Sequence, residues 1–134
     1  MRKPFKEKVP DRGIQIFHLR QRFPQFQCKG RGVWIGTLQP TPRSPIYKIK
    51  IVDRNCGFPQ VFVVEPKLEK EAPHLYPDGS LCLFYPQDFS WSKRSLIAET
   101  IVPWTALWLY FYELWLKTGF WYGESVEHKP TLRN

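Results

Sequence analysis

The hydrophobic positions of this chain follow a two-residue period in its first half and a helical crowding near its end. Val33, Ile35 and Thr37 alternate with Trp34, Gly36 and Leu38, and Tyr47, Ile49 and Ile51 alternate with Lys48, Lys50 and Val52. Successive side chains of a strand point to opposite faces, so this period predicts half-buried strands over 33–38 and 47–53. Between them, Gln39-Pro-Thr-Pro-Arg-Ser-Pro45 holds three prolines, which stiffen a connection and remove ladder donors. Gln60 to Glu65, rich in β-branched valine, follows an Asn55-Cys56-Gly57 turn and completes a predicted three-stranded antiparallel meander.

Helices are predicted on either side. Over 13–22, Ile14 and Phe17 give partial helical spacing among Gln, His and Arg, and Pro24 stops the helix because it lacks an amide proton and restricts its predecessor. His18 has no second ligand at helical spacing and reads as a packing or surface residue. From Thr100 to Gly119 the chain runs TIVPWTALWLYFYELWLKTG. Thr100 suits an N-cap, Pro103 is tolerated in a first turn and Gly119 suits the position after the last turn, which predicts a helix of about four to five turns. Its expected apolar face is Trp104, Leu107, Trp108, Phe111, Trp115 and Leu116, with Leu109, Tyr110 and Tyr112 leaving little polar surface elsewhere. Such a helix needs cover on most sides, from the meander and from a partner or a second copy of the chain. Pro103, Glu113 and the interface-seeking Trp and Tyr residues argue against a membrane span. Trp121 to Asn134 turn polar and read as a tail with His128 at its surface.

Composition narrows the class. A length of 134 residues, 43% hydrophobic and 16% aromatic, fits one folded α+β domain over 1–134, with the tail at about 121–134, able to bury a core without metal or disulfide staples. Cys28, Cys56 and Cys82 form an odd set without paired spacing, and no secretory segment precedes them, so they read as reduced cytoplasmic thiols. Neither Cys-x-x-Cys nor His-x-x-x-His spacing occurs, and no metal or cofactor is expected. The net charge of +8 draws much from Arg2, Lys3, Lys6, Lys8, Arg12, Arg20, Arg22, Lys29 and Arg31. Scattered among apolar residues and unaccompanied by a helix-turn-helix or RNA-reading motif, these charges fit a solvated face or an acidic protein partner better than nucleic acid.

The chemistry concentrates in Pro73 to Trp91, PHLYPDGSLCLFYPQDFSW. Asp78-Gly79 favours a tight reversal, since Gly tolerates positive φ and the Asp side chain bonds nearby amides. Cys82 follows that reversal between apolar Leu81, Leu83 and Phe84, while Tyr76, Pro77, Tyr85 and Pro86 stiffen both sides. A thiolate held on such a loop is a nucleophile and, as a thioester, a leaving group. The alternative is a small buried hydrophobe, the common fate of a free cysteine.

Tyr76-Pro-Asp-Gly-Ser-Leu-Cys82-Leu83 resembles the active-site segment of ubiquitin-conjugating enzymes, Tyr-x-Asp-Gly-x-Ile-Cys-Leu, and Trp91-Ser92 falls where that family has a Trp-Ser pair. The family's upstream His-Pro-Asn corresponds to Ala72-Pro73-His74, which keeps only the proline and puts His74 in place of the asparagine that supports the loop and the oxyanion. Phe23-Pro-Gln-Phe26, Gly36-Thr-Leu-Gln-Pro-Thr-Pro42, Thr100-Ile-Val-Pro-Trp-Thr105 and Trp108-Leu-Tyr110 are similar to phrases of the stand-alone bacterial members found with cyclic-oligonucleotide-based anti-phage signalling systems (CBASS).

The resemblance implies a truncated ubiquitin-conjugating-like fold: an N-terminal helix, an antiparallel meander, an active-site loop and a long central helix. It implies Cys82 as the thioester cysteine, in a loop with Pro73, Tyr76, Asp78, Gly79 and Trp91. His74 would orient the attacking group, move a proton or hold the oxyanion, or else shape the loop. The implied partner is the C-terminus of a cyclic-oligonucleotide synthase (CD-NTase), with a separate activating enzyme supplying the acyl energy. A binding scaffold of the same fold, docking through the aromatic helix and basic first third, is the competing reading.

Overall fold

The computed structural model describes residues 9–54, 57–83 and 91–123. Its elements run α1 (Arg12–Arg22), β1 (Gln27–Gly30), β2 (Val33–Leu38), β3 (Tyr47–Val52), β4 (Gln60–Glu65) and α2 (Ile101–Thr118), an α+β arrangement. The strands form one antiparallel sheet in sequence order, so the predicted meander is present with one strand more. All four residues of β1 are exposed, and without inside-outside alternation it gives no periodic signal. What marks it is Gly30-Arg31-Gly32, whose φ angles of 93°, 55° and 77° reverse the chain into β2. Residues 55–56 of the expected turn before β4 lie outside the described residues.

The register sets Trp34 opposite Ile51, Gly36 opposite Ile49 and Leu38 opposite Tyr47, then Ile51 opposite Val61 and Ile49 opposite Val63. These positions share one face, which joins a core with Leu19 of α1 and Ile101, Val102, Trp108, Leu109 and Tyr112 of α2. Gly36 is required there: a Cβ would run into the ring of buried Phe26.

The helices follow the predicted spacing only in part: Trp104, Trp108 and Trp115 of α2 meet the core as expected, and other positions do not. On α1 the buried residues are Gln15 and Leu19, while Ile14 and Phe17 are exposed. Gln15 can be buried because both ends of its amide are used. Its Nε2 donates to the Ser95 carbonyl at 3.1 Å and its Oε1 accepts from the Ile97 amide at 2.9 Å. On α2, Ile101, Val102, Thr105, Trp108, Leu109 and Tyr112 are buried, whereas Leu107 and Leu116 of the expected face are exposed. A helix apolar on nearly every side has no polar face to set its phase, so polar contacts decide it. Trp108 Nε1 donates to the His74 carbonyl at 3.2 Å, and the Tyr112 hydroxyl accepts from the Glu69 amide at 2.9 Å.

Glu113 makes the third of these contacts. Its carboxylate accepts from the Tyr47 hydroxyl at 2.7 Å and the Ser44 hydroxyl at 2.8 Å, tying α2 to β3 and to the proline-rich connection. Burial first, then the bond to Glu113 and its charge, push the Tyr47 phenol well above its ordinary range.

Of the predicted helix caps, that of Gly119 forms and that of Thr100 does not, and Asp11 supplies an N-cap that was not predicted. Asp11 caps α1 by accepting from the Ile14 amide, and Gly119, at φ 82°, ends α2 with its amide on the Trp115 carbonyl. Thr100 precedes α2 but makes no side-chain cap; its hydroxyl donates back to the Leu96 carbonyl at 2.8 Å. Among the described residues, no helix is long and apolar enough to cross a membrane.

Candidate active site

The segment leading to Cys82 is a small hairpin. The Gly79 amide donates to the Tyr76 carbonyl at 2.8 Å, closing a four-residue turn with Pro77 and Asp78 at its centre. Pro77 presets one corner and Gly79 takes the left-handed backbone, φ 90°, that the exit requires. Below the turn, the Tyr76 amide donates to the Ser80 carbonyl, Leu75 bridges Leu81, and the Cys82 amide donates to the His74 carbonyl at 2.9 Å.

Asp78 organises the turn. Its Oδ1 accepts from the Ser80 hydroxyl at 2.6 Å and the Ser80 amide at 2.8 Å, and its Oδ2 accepts from Gln60 Nε2 at 2.7 Å. The Ser80 hydroxyl bond, then the Ser80 amide and more weakly Gln60, hold the Asp78 carboxyl below its ordinary value. The Leu81 amide donates to the Val61 carbonyl at 2.9 Å, so the hairpin hangs on the outer edge of β4. Ser80 and Leu81 are buried by this docking, and Cys82, next along, stays partly exposed.

His74 stands opposite Cys82 in a left-handed conformation, φ 60°. That backbone costs an L-residue on the order of 1–2 kcal/mol. Two donors pin the peptide: its carbonyl accepts from the Cys82 amide and from Trp108 Nε1 at 3.2 Å. The imidazole packs on Trp121, with ring centroids 4.9 Å apart and planes inclined at 49°. Trp121 in turn meets Trp108 at 5.2 Å and Phe111 at 6.1 Å. A strained, over-determined residue beside a partly exposed thiol is the arrangement expected where geometry serves chemistry.

The remaining expected site residues divide clearly. Pro73 leads directly into His74 and is partly buried, and Tyr76, Asp78 and Gly79 build the turn. Trp91 packs against the core, and its Nε1 is buried without an acceptor among the described residues. Phe84, Tyr85 and Pro86 lie outside the described residues. Neither Cys82 nor Cys28, which is exposed on β1, is in a disulfide. Among the described residues, no three His, Cys, Asp or Glu side chains come together to hold a metal.

Three participants gave no sequence signal of their role: Gln60, which reaches Asp78, Trp108, which reaches the His74 carbonyl, and Trp121, which covers its ring. Trp121 begins the segment that reads as a polar tail, yet it packs against the core. Partly exposed thiol, imidazole-bearing neighbour and rigid turn together suit acyl transfer through sulfur. A family model described as "Type II CBASS E2 protein" matches residues 15–129. No curated protein shows a significant match to the chain.

Proposed function

The chain belongs to the type II CBASS E2 family, and from that premise we propose that it is a ubiquitin-conjugating-like acyltransferase whose Cys82 carries the C-terminal acyl group of a partner protein as a thioester. The partner is the cyclic-oligonucleotide synthase (CD-NTase) of the same defence system, whose output the modification regulates. The observation that carries this reading is the backbone pairing of Cys82 with His74 at the open end of the hairpin, with Cys82 left partly exposed.

In the loading step, the Cys82 thiolate adds to a C-terminal carbonyl already activated by a separate enzyme. A C–S bond forms, and the activating group leaves with its bonding electrons. In the transfer step an amine adds to the thioester carbonyl, the C–N bond forms, and the C–S bond breaks to return the thiolate. The surplus proton of the amine passes to the His74 imidazole, a group suited to proton transfer near neutral pH. A reduced cysteine of this kind fits a cytoplasmic setting.

Exposed Ile14 and Phe17 on α1, and exposed Leu107, Tyr110 and Leu116 on α2, favour a second reading, a non-catalytic scaffold that docks a partner or a second copy. One experiment separates the two. The chain, as wild type and Cys82→Ala, is co-expressed with the synthase and the other proteins of its defence system, the activating enzyme included, then resolved on denaturing gels with and without thiol reductant and weighed intact. The acyl-transfer reading expects a reductant-sensitive adduct, lost in Cys82→Ala, with the mass of chain plus synthase less one water. Undiminished binding with no adduct in the wild type leaves the scaffold.

A further inference from the structure

We propose that Trp121 is a positioning residue for His74, holding its imidazole in one orientation for the transfer step; the inference rests on the reading of Cys82 and His74 as a reacting pair. Of three consecutive aromatics after α2, Phe120 and Tyr122 are 66% and 62% exposed, and only Trp121 turns inward. Three features set that turn. Gly119 reverses the backbone at φ 82°, the Thr118 hydroxyl accepts from the Phe120 amide at 3.1 Å, and Gly123 lets the chain pass where a Cβ would meet Phe111 and Trp121.

The inward ring then does two things. It rests on the imidazole, and it backs onto Trp108, the residue whose Nε1 holds the His74 carbonyl. Backbone and side chain of His74 are thereby fixed by one aromatic unit, while the same carbonyl fixes the Cys82 amide. An indole face also attracts a cationic ring, so the imidazolium formed when His74 accepts the amine proton is favoured where it stands. Ring packing alone does not require the contact to fall on an imidazole. Restricting a reacting group to its working geometry lowers the barrier by avoiding reorganisation, and a misplacement of about 1 Å can cost on the order of 100-fold.

The test uses the full chain as wild type, Trp121→Ala, Trp121→Phe, His74→Gln and the Trp121→Ala/His74→Gln double variant. The adduct on Cys82 is formed first, and its single-turnover discharge to a free amine is timed separately from loading. Histidine ring resonances are recorded by NMR, with His74 assigned from its loss in His74→Gln. The expected result is a discharge slowed about 10- to 100-fold in Trp121→Ala, loading little changed, most of the rate restored in Trp121→Phe, and a double variant no slower than His74→Gln. The His74 ring resonances should move in Trp121→Ala while those of the other histidines hold, which also shows that the variant is folded.

Losses from Trp121→Ala and His74→Gln that multiply would mean that Trp121 does not act through His74, and would overturn the proposal. So would an unchanged His74 resonance, or unaltered discharge in Trp121→Ala while the wild type forms its adduct. A wild type that forms no adduct sinks the acyl-transfer reading itself, and this inference with it.

Discussion

The His74–Cys82 hairpin and the junction of Ser44, Tyr47 and Glu113 both lean on α2, one through Trp108 and the other through Glu113, but they use polar groups differently. At the junction a carboxylate points inward and is met by two hydroxyls from buried residues, so its hydrogen bonds hold the connection and β3 against the helix. At the hairpin the carboxylate of Asp78 stays at the surface and shapes the turn, and the buried contacts are made by Ser80 and Leu81. The first region is closed on itself. The second leaves a thiol partly open and keeps its neighbour His74 in a strained backbone. Anchoring and presenting a reactive group thus draw on the same helix, from different residues and with different exposure.

The largest effect separating the regions should come from Glu113→Ala, which leaves the Tyr47 hydroxyl without its acceptor and Ser44 with Thr41 alone. A loss of about 2–3 kcal/mol in urea unfolding is expected, with Cys82 alkylation by iodoacetamide in the folded protein near its wild-type rate. An alkylation rate that changes along with stability would break the comparison and make the two regions one cooperative unit. Asp78→Ala should have a smaller global effect, about 1 kcal/mol, because the carboxylate is exposed. Its local effect is sharper: the Ser80 amide should lose hydrogen-exchange protection while the β3 amides keep theirs.

The pH dependences should run in opposite directions. The Asp78 carboxyl lies below its ordinary 3.8 in the folded state, so its contribution is complete above that value and is lost as pH falls through the folded-state value. The Tyr47 phenol lies above its ordinary 10.0, so its contribution is complete below pH 10 and is lost as pH rises further. Thermal unfolding across pH should therefore show an acid loss that Asp78→Ala diminishes and an alkaline loss that Tyr47→Phe diminishes. The smallest effect belongs to Arg22→Ala, which removes an exposed 3.5 Å pair with Glu99 in neither region. A change of less than about 0.5 kcal/mol is expected and sets the background for the others.

Much of this molecule was legible in local patterns. Period-two spacing located β2 and β3, β-branched valines located β4, Pro24 and Gly119 bounded the helices, and Asp78-Gly79 announced the turn before Cys82. Each of those signals depends on backbone sterics within a few residues, and neighbours in sequence are enough to state it. The phase of the helices was not legible in this way. Ile14 and Phe17 gave α1 its helical spacing yet are exposed, while Gln15 is buried through its bonds to Ser95 and Ile97, the latter 82 positions away. On α2 almost every side chain is apolar, so His74, Glu69, Tyr47 and Ser44 arriving from elsewhere orient it.

The candidate site divides along the same line. The sequence by itself determined the hairpin, the position of Cys82 after it and the family, because these rest on contiguous residues. Tertiary structure alone decided that Trp108 would pin the His74 carbonyl and that Trp121 would fold back onto its ring. Those contacts join groups far apart in the chain, and their geometry exists only once the core has brought α2 against the hairpin.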